Sequence, residues 1–195
     1  GTGRHFHCLQ NVESLIGIDI SPAMLAAAAS PVRSADVSAR NIHLKRGNIY
    51  EQSFSPETFD LIYSLGVFGH GAKLTVDVGR KFYEWLRPGG RLYINTIETS
   101  VDRPVVAGKK QLKKILLPLL PGRMQAILRS REARLPVFTM THDELDAVIR
   151  ASGFADFTIS ANVCRSPLWS GVHLECIALK KSHSHEVSQR RTDSS

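Results

Sequence analysis

Apolar residues along this chain come in short unbroken blocks separated by stretches of helical period. Leu15-Ile16-Gly17-Ile18 is a compact apolar run that ends in Asp19, the pattern of a strand buried on both faces of a parallel sheet. Ser21-Pro22 follows it, an N-cap residue with proline at the first helical position, and opens an alanine-rich helix running to Ser30-Pro31. Ile42 to Asn48 and Phe59 to Ser64 read as two further strands. Leu74, Val78, Phe82, Trp85 and Leu86 then recur on one face of a helix. Arg87-Pro88-Gly89-Gly90 predicts a sharp stop to that helix, and Arg91 to Ile97 a fourth strand. Strand and helix alternate throughout, which predicts a mostly parallel α/β sheet with helices on both faces.

The rhythm breaks over residues 99–138. Two amphipathic helices fit there, one carrying Leu112, Ile115, Leu116 and Leu119, the other Met124, Ile127 and Leu128. Their position after a strand predicts a helical insertion that caps an acceptor pocket. Thr141-His142-Asp143-Glu144 restores the alternation as a capping box, followed by Leu145, Val148 and Ile149 and closed by Gly153. Phe157 to Val163 and Val172 to Leu179 read as strands whose short connection lets them pair as an antiparallel hairpin. Residues 181–195 are polar and read as a disordered tail, leaving one domain over 1–180.

Composition narrows the classes. The chain has 195 residues, 43% of them hydrophobic, which suits one domain with a real core. No run approaches the roughly 20 apolar residues that span a bilayer, and no secretory leader is visible, so a cytoplasmic location is expected. Three cysteines, Cys8, Cys164 and Cys176, are scattered without a Cys-x-x-Cys pair. They read as small, partly buried hydrophobes in a reducing compartment, and no metal site is expected. Net charge is +7, and nine basic residues against Glu132 alone fall between Arg103 and Arg134. That segment suits the solvated face of amphipathic helices, with peripheral contact to an anionic membrane as a second reading. Phe138 is the only aromatic residue between 99 and 140, so there is no stacking platform for RNA, and nucleic acid is not an expected partner.

Candidate chemistry lies near the start. Gly1-Thr2-Gly3 precedes a helix-like segment, Arg4 to Gln10, and then the strand ending in Asp19. Glycines let backbone approach a ligand closely, and an acid at the tip of the next strand can accept both hydroxyls of a ribose. Asp19 lies 16 residues after Gly3, near the ~20 of nucleotide sites. A dinucleotide site calls for a third glycine where this chain has Phe6.

The landmarks taken together resemble a class I S-adenosylmethionine-dependent methyltransferase of the small-molecule branch. They are Gly1-Thr2-Gly3-Arg4, Gly17 to Leu25, Gly47-Asn48-Ile49, Phe59 to Ser64, and Leu86-Arg87-Pro88-Gly89-Gly90-Arg91-Leu92. The likeness is close to about residue 98 and looser over 141–179. It implies a Rossmann-like doubly wound sheet in the order 3-2-1-4-5-7-6, with S-adenosyl-L-methionine as cofactor. Gly1 and Gly3 would pass under its methionine part. Asp19 would hold the ribose diol, with Ile20 and Met24 packing on the adenosine. Asn48 stands where the family usually has aspartate for the adenine amino group, and Ile49 would neighbour the purine. Ser64, Leu65 and Gly66 would line the cofactor near the sulfonium. The family's first strand leads into the glycine loop, so the sequence reads as cut within that motif, with its central strand missing. His70, after Phe68-Gly69, is the candidate proton acceptor near the methyl. The implied activity is methyl transfer to a small-molecule acceptor. The alternatives are a non-catalytic cofactor-binding module and a methyltransferase acting on RNA or a lipid surface.

Overall fold

The computed structural model describes residues 1–99, 136–165 and 170–182. The helical insertion expected over 99–138, the basic 103–134 segment and the 181–195 tail therefore lie largely outside the described residues. The chain divides into two compact units, Gly1–Phe54 and Ser55–Ser195.

The N-terminal unit is a strand-helix-strand motif. Strand β1 (Ser14–Asp19) leads into helix α1 (Pro22–Ala29) and strand β2 (Asn41–Arg46). β1 and β2 pair in parallel, Ser14 opposite Asn41 through Asp19 opposite Arg46. The Ser21 hydroxyl accepts the Met24 N–H at 3.4 Å and caps α1. Between the glycine loop and β1 the expected helix is a single 3-10 turn, Phe6–Cys8. Its purpose is packing, because the Phe6 ring is buried with Leu15 and Ala28. Gly3 has φ +70°, and a Cβ there would lie 2.9 Å from the Phe6 ring and 3.2 Å from the Ala28 backbone. Only glycine fits that turn. Cys8 is exposed on this short turn, against the expectation of partial burial, since the turn has only one inward position and Phe6 takes it.

The C-terminal unit holds a five-stranded sheet. Its elements are β3 (Phe59–Ser64), α2 (Val76–Trp85), β4 (Leu86–Glu98), β5 (Thr139–Met140), α3 (His142–Ala151), β6 (Asp156–Arg165) and β7 (Ser170–Leu179). The strand order is β3-β4-β7-β6, with β5 pairing the end of β4. β3 and β4 run parallel, and β7 is antiparallel to both β4 and β6. In the implied numbering, β2-β1 reads 3-2 and β3-β4-β7-β6 reads 4-5-7-6.

The helix face expected from Leu74, Val78, Phe82, Trp85 and Leu86 is buried, each residue 3% exposed or less. Phe82 meets Phe68 and Trp85 edge-on at 6.1 and 5.9 Å between ring centroids. The capping box of α3 is complete: the Thr141 hydroxyl accepts the Glu144 N–H at 3.2 Å, and the Glu144 carboxylate accepts the Thr141 N–H at 2.7 Å. One expectation fails. Helix α2 stops as predicted, yet Pro88-Gly89-Gly90 lie inside β4, which starts at Leu86 rather than Arg91. The Gly89 N–H donates to the Lys180 carbonyl at 2.7 Å and the Lys180 N–H to the Gly90 carbonyl at 3.0 Å, so the residues beyond β7 pin this segment as a bulge, in which Gly89 keeps φ +81° and the pairing with β3 jumps from Leu86 to Arg91.

Side chains alternate across the sheet. Leu92, Ile94 and Thr96 on β4, with Leu174, Cys176 and Ala178 on β7, are all buried. The opposite face carries Tyr93, Asn95 and Ile97 across from Ile177, Glu175 and His173. Burial drives the Cys176 thiol up to about 12. No helix among the described residues is long and apolar enough to cross a membrane.

Candidate functional site

The expected site residues fall into two sets, one in each compact unit. In the N-terminal unit, Asp19 ends β1 with its Oδ1 accepting the Ser21 N–H at 2.8 Å. Its other oxygen pairs with the Gly1 amino group, so the glycine loop and the tip of β1 stand within hydrogen-bonding reach. Burial pushes the Asp19 carboxyl up, while the hydrogen bonds from the Ser21 and Ile20 N–H groups push it down. Ile20 is 65% exposed and Met24 44%, an apolar pair beside the carboxylate that the chain itself leaves open. Asn48 is committed to its own turn: its Oδ1 accepts the Tyr50 N–H at 3.2 Å and its Nδ2 donates to Glu51 at 3.1 Å. One lone pair of that oxygen remains for an adenine amino group. Ile49 beside it is half-buried.

In the C-terminal unit, Ser64 ends β3, and Ser64 and Leu65 are half-buried. The Gly66 N–H donates to Asn95 Oδ1 at 2.8 Å, and Asn95 is itself buried. The loop beyond is fastened on both sides. Gly71 N–H donates to the Pro136 carbonyl at 2.9 Å, Phe138 N–H to the Gly69 carbonyl at 3.1 Å, and His70 bridges to Val137. At Gly69 a Cβ would sit 2.8 Å from Ile97, so the loop lies directly on the sheet. His70 is half-buried, its ring edge-on to His173 at 6.3 Å.

His173, Asn95 and the Tyr93–Glu175 pair, in which the Tyr93 hydroxyl donates to Glu175 at 3.1 Å, were not singled out by the sequence. The available signal was the period-two alternation of β4 and β7, which puts 93, 95, 173 and 175 on one face.

A glycine turn, an acid at the tip of the following strand and an open apolar pair beside it are the features that nucleoside-binding α/β domains use. Residues 1–90 match the family described as Methyltransferase domain. Solved structures give the same fold. A possible exported protein from Bordetella parapertussis is similar at 21% identity over 87% of this chain and 54% of that one, with a TM-score of 0.52. An S-adenosylmethionine-dependent methyltransferase from Thermotoga maritima is similar at 16% identity, 93% and 78% coverage and a TM-score of 0.59. An N-methyltransferase from Haemonchus contortus, solved with phosphomonomethylethanolamine and S-adenosylhomocysteine, is similar at 15% identity, 86% and 44% coverage and a TM-score of 0.54. This chain thus spans about half the length of the first and less than half of the third. No curated protein matches the sequence.

Over residues 1–90 the chain is thus similar to the Methyltransferase domain family, and it shares its fold with solved S-adenosylmethionine-dependent methyltransferases. S-Adenosylmethionine is the cofactor of that domain. The residues present fit it: Asp19 keeps acceptor capacity at a strand tip, Ile20 and Met24 offer uncovered apolar surface, and the turn at Gly3 has no room for a side chain.

Proposed function

We propose that this protein transfers a methyl group from S-adenosylmethionine to a small-molecule acceptor. The Asp19 carboxylate at the end of β1, fixed by the Ser21 N–H with Ile20 and Met24 exposed beside it, carries the reading. When bound, the cofactor supplies a methyl group already activated on a sulfonium. The protein's share is alignment and exclusion of water. Asp19 holds the ribose diol, and Ile20 and Met24 pack on the adenosine. Asn48 and Ile49 border the adenine, while Gly1 and Gly3 admit the methionine part. Ser64, Leu65 and Gly66 line the reacting end, and His70 receives the acceptor's proton. In this reading the domain covers 1–180, the 99–138 insertion sets acceptor choice, and the reaction runs in the cytoplasm.

Calorimetric titration of S-adenosylhomocysteine against Asp19→Ala tests it. Losing a charge-assisted contact to the diol costs about 1.5–3 kcal/mol, a fall in affinity of roughly tenfold to a hundredfold. Unchanged affinity would remove Asp19 from the ribose site.

A further inference from the structure

We infer that His173 works with His70 as a two-histidine proton acceptor, which restricts the acceptor to a nucleophile that carries a proton, a hydroxyl or an amine. The inference rests on the methyl-transfer reading above and extends it to a residue on β7. In the transfer, the acceptor's lone pair forms the new bond to the methyl carbon. The carbon–sulfur electrons go to sulfur, and the acceptor's proton passes to an imidazole.

Position is the first argument. His173 lies opposite Ile97, near the end of β4, and His70 lies in the loop beyond β3. Both therefore stand at the carboxyl edge of the parallel strands, where open α/β sheets take their ligands. Rigidity is the second. His70 is held through the Gly71, Phe138 and Val137 backbone contacts, and His173 by ladder partners on both sides, Ile97 and Asn162. Both backbones are anchored by these contacts, and the two rings meet edge-on at 6.3 Å.

Charge is the third. Burial lowers the His173 pKa most, the neighbouring His70 lowers it further, and Glu175 opposes both, leaving it below the ordinary value. From β4 the facing groups are Ile97, Asn95 and Tyr93, whose hydroxyl is bonded to Glu175. From β6 they are Asn162 and Ser160, which bring no charge. The 136–138 stretch brings Pro136, Val137 and Phe138. The His70 ring, edge-on at 6.3 Å, is thus one of the causes that disfavour the protonated form of His173.

4-Nitrophenol provides a test that needs no turnover, because its ionised form is yellow. The full chain without cofactor is saturated with it at about pH 6, near the histidine reference value and below the phenol's own pKa. Wild type should show the phenolate band on binding. His173→Gln should lose it, and His70→Gln should weaken it severalfold, with melting temperatures confirming that both variants fold. Should either variant fail to fold, an imidazole nitrogen NMR titration of wild type decides: two coupled steps support the pair, and two independent ones overturn it. No band in wild type, or an undiminished band in both folded variants, overturns the pair. Calorimetry with S-adenosylhomocysteine runs in parallel. A chain that shows the band but does not bind this product refutes the methyl-transfer reading and leaves the proton-accepting pair standing.

Discussion

The two compact units are built to different standards. From Ser55 onward, aromatic and aliphatic residues of α2, α3 and the sheet close a core that includes Phe68, Phe82, Trp85, Leu145, Ile149 and Phe154. The Gly1–Phe54 unit buries only Phe6, Leu15 and Ala28 among its apolar residues, and leaves Ile16, Ile20, Met24, Val32 and Ile42 exposed. Its helix α1 has alanine on every side, so no face has much to bury, and its sheet has two strands. Two strands alone are marginal in water. Yet this thin unit carries Asp19, Ile20, Met24 and Asn48. Under the proposed function this surface accepts a nucleoside, and the open apolar area is what such a ligand would cover.

The widest test of that contrast compares core truncations. Trp85→Ala should cost about 3–5 kcal/mol, read as a lowered denaturant midpoint. Leu15→Ala, with fewer neighbours to lose, should sit near the low end for leucine, about 2 kcal/mol. Equal costs would mean that the N-terminal unit is packed as tightly as the other. Ligand linkage comes next. S-Adenosylhomocysteine at one hundred times its Kd should stabilise the chain by about 2.7 kcal/mol. Amide exchange should slow more over β1, α1 and β2 than over β4 and β7. A uniform slowing would break the link between exposure and binding.

A smaller effect probes the better-packed unit alone. A Cβ on Gly79 would fall 2.0 Å from the Oγ of Ser152, the C-cap of α3. Ser152 is fixed there by donating to the Val148 carbonyl at 2.7 Å. Gly79→Ala should therefore cost about 1–3 kcal/mol, and adding Ser152→Gly should recover part of it. No recovery would place the strain elsewhere than at this contact.

How much of this was legible beforehand follows the same division. The face of α2, the capping box at Thr141 and the β6–β7 hairpin could be read because period and local chemistry agree there. The start of β4 could not. Pro88-Gly89-Gly90 reads as a break and is a bulge, with Gly89 at φ +81° and the β3 pairing jumping from Leu86 to Arg91, while the distant Lys180 backbone holds the segment within β4. The Arg4–Gln10 helix was misread because one aromatic anchor, Phe6, fixes a short turn. The place of Asp19 at a strand tip was legible from the apolar run before it. His173 was not, because its meaning depends on β7 lying beside β4 and on His70 arriving from a loop about a hundred positions earlier.

The smallest predicted difference compares how each unit starts a helix. Both use a hydroxyl. Thr141 makes a reciprocal pair of bonds with Glu144, at 3.2 and 2.7 Å, and Leu145 just beyond is fully buried. Ser21 makes one long bond of 3.4 Å to the Met24 N–H, and Met24 is exposed. Removing the first hydroxyl leaves a donor unsatisfied at the start of a well-packed helix, so Thr141→Ala should cost about 1–2 kcal/mol. Removing the second gives up a weaker bond whose donor can turn to water, so Ser21→Ala should cost only about 0.5 kcal/mol. The Asp19 contact is untouched in that variant, because it comes from the Ser21 backbone N–H. Both values come from denaturant midpoints of single variants. If Ser21→Ala proves as costly as Thr141→Ala, the start of α1 is held as firmly as that of α3, and the contrast in packing does not extend to the helix that follows the proposed ribose site.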